Sequence, residues 1–427
     1  MRILIIGGVA GGMSAATRAR RINESAEIIV LERGGFISFA NCGLPYHLAG
    51  RIENESSLLL TNPQAVAKRF RIDARVGVEA VKIDRTTKTV QIRKLADRST
   101  DAIAYDKLIL APGANPIVPK SDFASAPNVF LLRSMEDTRA IRTYIEKAKP
   151  KKIAIVGGGF IGLEMAEAMR DRGMEVAVIE KNTHLLPPLD REMALPIENE
   201  LKKHAVEVFT GDGLAELVSK DGQLVSGIKL DSGTRVDADM VLLSIGVRPN
   251  TDLAREAGLT IGASGAIAVD EYQRTSDADI YAVGDAAEVV HGVTGKTTRV
   301  PLAGPANRQG RLAGQHAASG TSSPRGRVFG TAVVQVFGVN AALTGLNERI
   351  ARETPDFDVD VAYVLPNHHA GYYPGAQQMK LKLIYDRATR KLLARRPSAA
   401  RAWTSGSTSS PPSSILAGPS MTWPSST

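Results

Sequence analysis

Apolar residues in this chain come in short, nearly unbroken runs, most of them halted by glycine or by an acid. Arg2 to Ile6 stops at Gly7-Gly8, Glu27 to Leu31 at Glu32, and Leu108 to Ala111 at Pro112-Gly113. Lys152 to Val156 stops at Gly157, Glu175 to Ile179 at Glu180, Met240 to Ile245 at Gly246, and Ile280 to Val283 at Gly284-Asp285. Runs this short and this apolar predict strands buried on both faces. Helical stretches follow two of them, one ending near Arg21 and one near Arg172. Residues 72–95 alternate apolar and polar, which predicts a small antiparallel sheet. Residues 325–393 predict a further α+β module, with strands near Ala332 to Phe337 and Met379 to Tyr385.

Two of these strand–helix–strand units share one plan. Gly7-Gly8-Val9-Ala10-Gly11-Gly12 closes the first strand, and Glu32 ends the next strand about 25 residues after the first glycine. Gly157-Gly158-Gly159-Phe160-Ile161-Gly162 closes the corresponding strand of the second unit, with Glu180 as its acid. Glycines at this spacing let the backbone approach a pyrophosphate at a helix N-terminus, where free N–H groups and the dipole favour anions. The acid can accept hydrogen bonds from ribose hydroxyls. The first loop departs from the usual spacing, since Val9 stands where the middle glycine belongs. The fold class expected is α/β, with two Rossmann-like dinucleotide-binding domains.

Composition narrows the picture. With 427 residues the chain is long enough for two or three domains, and 43% hydrophobic residues is ordinary for a globular protein. No apolar run reaches the ~18 residues of a membrane span, so no membrane partner is expected. The apolar N-terminus breaks at Gly7-Gly8 and is read as a strand, not a signal peptide. The net charge is +8, but Arg395, Arg396 and Arg401 supply +3 of it in an acid-free stretch, which leaves +5 on residues 1–393. No basic helix or long Lys/Arg cluster appears, which argues against nucleic acid as a partner. A modest positive excess suits a ligand with several phosphates.

The chain has one cysteine, Cys42, in the run Ser38-Phe39-Ala40-Asn41-Cys42-Gly43-Leu44-Pro45-Tyr46. A lone cysteine closes no internal disulfide, so its redox partner must be a small molecule, oxygen chemistry or another chain. One cysteine and no export signal predict a reducing, cytoplasmic setting. A helix from about Gly43 to Leu48 would put the thiol at a helix N-terminus, where cysteine pKa values fall to about 3.5–7.5. A thiol beside two nucleotide motifs suggests electrons passing from a nicotinamide through a flavin to one sulfur.

The run SFANCGLPY, with YAVGDAAEV at 281–289, LAGPANRQGR at 302–311 and HAGYYPGA at 369–376, resembles the coenzyme A disulfide reductase and NADH oxidase group. That group lies within the FAD-dependent pyridine nucleotide-disulfide oxidoreductases, and the resemblance covers residues 1–393. It implies a glutathione-reductase-like arrangement. The FAD domain (1–113 and 247–322) is split by an NAD(P)H domain (114–246), and a dimerisation domain follows, here partial, at 323–393. The cofactors implied are FAD and NADH or NADPH. The partners implied are coenzyme A disulfide, or a related low-molecular-weight disulfide or persulfide, and a second copy of the chain.

The resemblance also assigns roles. Gly7, Gly8, Ala10, Gly11, Gly12, Glu32, Arg33, Pro112, Gly113, Gly284, Asp285, Ala303 and Gly304 would surround FAD. Ala303 and Gly304, at a helix N-terminus, would stabilise negative charge on the reduced ring. Gly157, Gly159, Ile161, Gly162, Glu164 and Glu180 would serve the nicotinamide nucleotide. Phe160 would cover the flavin face and swing aside. Glu180 favours NADH, because a carboxylate repels a 2′-phosphate, although Lys181 follows it. Ser38, Phe39, Asn41, Asn307 and Arg308 would line the substrate's arm. Arg18, Arg21, Lys68 and Arg69 would meet its phosphates. Cys42 would be the redox centre, and Tyr372 or Tyr373 would reach the partner subunit's site and protonate the leaving thiolate. The pair His368-His369 lacks further ligands in its neighbourhood, so no metal site is expected.

A second reading is an NADH oxidase or peroxidase whose cysteine cycles through a sulfenic acid. Such relatives usually carry a histidine in the first glycine loop. Here that position is Ala10, and none of the seven histidines lies in the loop. After Leu393 the resemblance stops. Residues 394–427 are rich in Ser, Pro, Thr and Ala, hold both tryptophans and show no helical period, so they are expected to be disordered. An abrupt change inside a domain suggests out-of-frame translation from near residue 394, the alternative being a natural tail. A third reading follows from it: a flavoprotein fragment with a defective C-terminus that turns over poorly.

Overall fold

The computed structural model describes residues 1–121 and 124–400, with side chains as far as Arg396. Two compact units emerge. The first joins Met1–Pro150 to Leu243–Val328, and the second joins Lys151–Leu242 to the chain from Phe329 onward.

The first unit is built on a parallel five-stranded sheet in the order Ile280–Ala282, Lys107–Leu110, Arg2–Ile6, Glu27–Glu32, Ile72–Val76. Alternate residues of its central strand serve opposite faces. Leu4 and Ile6 pack with Val90, Ile92 and Ile103 of an antiparallel three-stranded sheet. Ile3 and Ile5 pack with Ala15, Ala16 and Ala19 of the helix Ala10–Ile22 and with Ala313 and Ala317 of the helix Ala303–Ser319. Burial on both faces explains why these strands read as continuous apolar runs. The antiparallel sheet starts only at Val78. The strand Ile72–Val76, expected in that sheet, pairs in parallel with Glu27–Glu32 instead. Its alternation reflects an edge position, half covered, and not an antiparallel partner.

The second unit repeats the plan. The strands Val206–Thr210, Glu175–Glu180, Lys152–Val156 and Met240–Leu243 lie side by side, with the helix Phe160–Asp171 after the glycine loop. A C-terminal antiparallel sheet follows in the order Ala332–Val336, Val339–Gly345, Leu392–Ala400, Lys380–Asp386, Val359–Val364. The expectation that disorder begins at residue 394 therefore fails for 394–400. That stretch forms most of the middle strand, with Ala394 facing Gly345 on one side and Ile384 on the other. Ladder hydrogen bonds use backbone groups, so this strand forms despite a Pro-containing sequence that does not read as one. Trp403, Trp423 and the rest of 401–427 lie outside the described residues. Among the described residues no helix is long and apolar enough to cross a membrane.

Candidate functional site

The two glycine loops are built alike. Gly7 takes a φ of +102° and Gly157 a φ of +113°, values open to glycine at little cost. Their N–H groups donate to Leu31 and Ile179 carbonyls at 2.8 and 2.7 Å, tying each loop to the second strand of its unit. Gly8 N–H donates to Glu32 Oε2 at 2.7 Å, and Gly158 N–H donates to Glu180 Oε2 at 2.8 Å. The other carboxylate oxygens accept from Gly34 N–H at 2.8 Å and from Asn182, whose backbone N–H is 2.8 Å away. The missing middle glycine is explained here. Val9 and Gly159 are the residues just before their helices, both with negative φ, so neither backbone needs glycine. Each helix starts with no side-chain cap and no acid in its first turn, leaving N–H groups for an anion.

The cysteine run is tied to the first loop. Ser38 N–H donates to the Gly8 carbonyl at 2.9 Å, and Ala40 N–H to Leu58 at 2.8 Å. Ser38 takes a φ of +47°, the sharp bend that lets Phe39 to Cys42 leave the loop. Cys42 is exposed, in a single 3-10 turn, Asn41–Gly43, ahead of the short helix Leu44–Leu48. It thus precedes the expected helix within a tighter turn. Asn41 Nδ2 donates to the Arg133 carbonyl at 3.1 Å.

Around this loop the first unit gathers several expected residues. Gly113, with φ +69°, packs against the Arg133 guanidinium. Asn250 holds Pro112 and Gly113 through their carbonyls, each at 2.9 Å. Asp285 lies in the turn Gly284–Ala286, on a cavity of about 200 Å³ that Ala114, Thr298 and Arg299 also line. Burial pushes the Asp285 carboxyl up, and Arg133 pulls it back down. Ala303 and Gly304 open the helix Ala303–Ser319, which has no side-chain cap at Leu302. Arg133, Asn182 and Gln309 were missed from sequence. Arg133 stands one residue before a capping box formed by Ser134 and Asp137, a signal for a helix start that says nothing of charge. Gln309 accepts from Gly284 N–H at 2.8 Å. Burial lowers the Arg133 guanidinium, with Asp285 and Glu32 opposing.

Other expected residues are placed elsewhere or otherwise engaged. Arg33 pairs with Glu79 at 3.5 Å. Arg18 donates to Gln315 at 2.5 Å, and Ser14 donates to Asn307 Oδ1 at 2.8 Å, so both pairs bind the helix Ala10–Ile22 to the helix Ala303–Ser319. Arg21 and Arg308 are exposed, and so are Lys68 and Arg69 on the helix Pro63–Phe70. In the second unit, burial and then Glu167 push Glu164 up to about 7. Phe160 is half-buried, and Ile161 is exposed (38%). Tyr372 and Tyr373 are 90% and 58% exposed, and the Tyr373 ring lies 5.4 Å from that of His369. Among the described residues no group of three or more His, Cys, Asp or Glu could hold a metal ion.

A family model described as pyridine nucleotide-disulphide oxidoreductase matches residues 1–310. A coenzyme A-dependent NAD(P)H sulfur oxidoreductase of Pyrococcus abyssi is 36% identical over 393 residues, covering 92% of this chain and 85% of that protein. The solved structure of reduced CoADR-RHD from Bacillus anthracis superposes with a TM-score of 0.91 at 43% identity, covering 94% of this chain and 71% of that one. The water-forming NADH oxidase of Lactobacillus brevis, bound to NADH, gives 0.87 at 28% identity over 93% and 87%.

Proposed function

The chain belongs to the pyridine nucleotide-disulphide oxidoreductases, FAD-dependent enzymes that use NAD(P)H, and on that premise we propose that it reduces coenzyme A disulfide or a coenzyme A persulfide through Cys42. The observation that carries this reading is an exposed thiol on a run hydrogen-bonded to the first glycine loop. Exposure lets a bulky disulfide reach the sulfur, and the tie to Gly8 keeps the sulfur beside the FAD cradle.

The first unit fits FAD on its own features. Gly7 and Gly12 leave no room for a side chain, the helix start is uncapped, and Glu32 is fixed by two N–H groups with its position set for ribose hydroxyls. Bound there, FAD supplies two-electron transfer between NAD(P)H and sulfur. The chain's own steps follow. Cys42 thiolate attacks one sulfur of the disulfide, forming a mixed disulfide and releasing one thiolate. Two electrons then break the mixed disulfide, restore the Cys42 thiolate and free the second thiol. The sum is one disulfide, one NAD(P)H and one proton giving two thiols and NAD(P)⁺. Arg133, between Glu32 and Asp285, offsets phosphate charge in the cradle.

Glu180, 6% exposed and held by Gly158 and Asn182, supports NADH over NADPH. Exposed Tyr363, Val364, Leu365, Tyr372 and Tyr373 support a second copy covering the C-terminal module, with the two last tyrosines serving the partner's site. Arg396 supports the out-of-frame origin of the last strand. Its guanidinium is 1% exposed, Nε and Nη1 have no hydrogen-bond partner, and burial lowers it to about 10 against the pull of Asp190. Only Nη2 finds a carbonyl, that of Gly345 at 3.4 Å, and Nε has only an ion pair with Asp190 at 3.9 Å, a poor set of partners for a buried guanidinium. Reading the gene's 3′ end in the other frames tests this, and the idea fails if none restores an interface-domain ending.

Oxygen reduction through a Cys42 sulfenic acid is a second reading, favoured by the same exposure. Ala10, at the start of the first helix, offers it no acid or base. The deciding experiment is NADH- and NADPH-driven reduction of coenzyme A disulfide by the full chain beside Cys42→Ser. Turnover lost in the variant is expected. Equal turnover in both, or oxygen consumption with no disulfide reduction, overturns the reading.

A further inference from the structure

Lys382, in the strand Lys380–Asp386, has no solvent exposure. Its ammonium forms ion pairs with Glu192 and, at 2.6 Å, with Glu348, and lies 3.3 Å from Asp190. Tyr363 closes one side, donating to the same Glu192 oxygen at 2.8 Å and facing the ammonium with its ring at 5.6 Å. Arg352 pairs with Glu348 at 2.7 Å, and Arg396 comes within 3.9 Å of Asp190. Burial works against the charge on Lys382, yet the bonds from Glu192 and Glu348 hold it above its ordinary value.

The three acids come from two places in the chain. Asp190 and Glu192 flank the start of the helix Arg191–Lys203, in the nucleotide-fold half of the unit. Glu348 opens the short helix Glu348–Arg352, in the C-terminal module. Asp190 makes no side-chain cap for its own helix. It accepts from Glu348 N–H at 2.7 Å instead.

Asp190 is the far end of the segment that begins at Glu180. At the near end Asn182 binds Glu180, and midway Leu186 N–H donates to the Gly158 carbonyl at 2.8 Å. The segment is therefore held at the acid, at the glycine loop and at the lysine. A cavity of about 600 Å³ lies against it, lined by Lys181, His184 and Arg191 together with Glu348 and Lys382.

We propose that Lys382 is a positioning residue for the nicotinamide nucleotide: by gripping Asp190 and Glu192 it fixes the 181–190 segment, and through it Glu180, against the C-terminal module. The inference rests on reading the second glycine loop as the nucleotide site. A segment loosened at one end, where only the Glu348 N–H bond to Asp190 would remain, visits other conformations, and apparent affinity falls by the fraction of time the binding form is populated.

The test is NADH affinity of the FAD-loaded full chain, its flavin reduced beforehand with dithionite so that binding consumes no NADH, from quenching of nicotinamide fluorescence, with kcat and KM measured alongside. Lys382→Met should weaken NADH binding and raise KM about tenfold, with kcat within about twofold, and Lys382→Arg should recover most of the loss. Because three acids left without their lysine can unfold the unit, Glu192→Gln serves as a second variant. It removes one arm of the grip and should weaken binding about threefold. Unchanged NADH affinity in either folded variant, even with a lowered melting temperature, makes the cluster a structural clamp only and overturns the proposal. A wild-type chain that binds neither NADH nor NADPH overturns the underlying reading of the second loop instead.

Discussion

The two glycine loops share a backbone plan but differ in what covers them. In the first, Gly11 and Gly12 are buried, and Gly310 and Gly314 of the helix Ala303–Ser319 press on the backbone of Gly11 and Ala15. A side chain at Gly12, Gly310 or Gly314 would enter a carbonyl, and one at Gly11 would press on the Val283 side chain, so the first helix is sealed by close packing. In the second, Phe160 is half-buried, Ile161 is exposed, and a Cβ on Gly159 would meet nothing within 4 Å. The difference fits the proposed assignment of FAD to the first loop and NAD(P)H to the second. FAD stays through many turnovers and gains from a closed cradle, whereas NAD(P)H must enter and leave in each.

The contrast can be broken at its tightest point. Gly12→Val puts branched carbons into the Gly7 carbonyl and should cost more than about 3 kcal/mol, leaving purified protein without flavin absorbance. A flavin-replete variant would mean that the first helix is not sealed. Glu180→Gln keeps the size and shape of the side chain and removes the charge, while one N–H, at Gly158 or at Asn182, then faces an amide nitrogen that cannot accept from it. It should lower the preference for NADH over NADPH by about tenfold, ~1.4 kcal/mol, as read from the ratio of kcat/KM values. An unchanged ratio would place discrimination elsewhere.

Glu164 sharpens the comparison through pH. Its folded pKa is raised from 4.5 to about 7, chiefly by burial, so the folded state keeps a proton that the unfolded state loses first. Stability from this group is present below pH 4.5 and is lost as pH rises towards 7. The urea midpoint of wild type should fall between pH 5 and pH 7.5 by more than that of Glu164→Gln. Equal falls would show that the carboxyl is solvated. The smallest effect is expected for Gly159→Ala. Val9 already occupies the matching post in the first loop, so NADH affinity should change by less than about threefold. A larger loss would mean that the second loop needs its middle glycine for approach to the pyrophosphate.

Much of this was legible in the sequence for a physical reason. Strands buried on both faces write themselves as apolar runs, and glycines at positive φ mark the loops, so both glycine loops and the acids that follow them are legible in the sequence. The strand Ile72–Val76 was assigned to the wrong sheet because alternation reports half-burial, not the direction of its partner. The strand Leu392–Ala400 was missed because its pairing runs through backbone atoms, while its composition, with Pro397 and two arginines, suggests a tail. Arg133 and Lys382 were missed because a buried cation looks like a surface one until its acids, far away in the chain, are seen around it.

Whether electrons reach Cys42 is tested most directly by anaerobic titration with NADH after incubating the FAD-loaded chain with coenzyme A disulfide and removing the excess. A mixed disulfide and a flavin each take two electrons, so wild type should consume two equivalents of NADH per chain and release one coenzyme A thiol. Cys42→Ser should consume one equivalent and release none. One equivalent without thiol release in the wild type would contradict the sulfur relay and leave an enzyme whose flavin passes its electrons elsewhere.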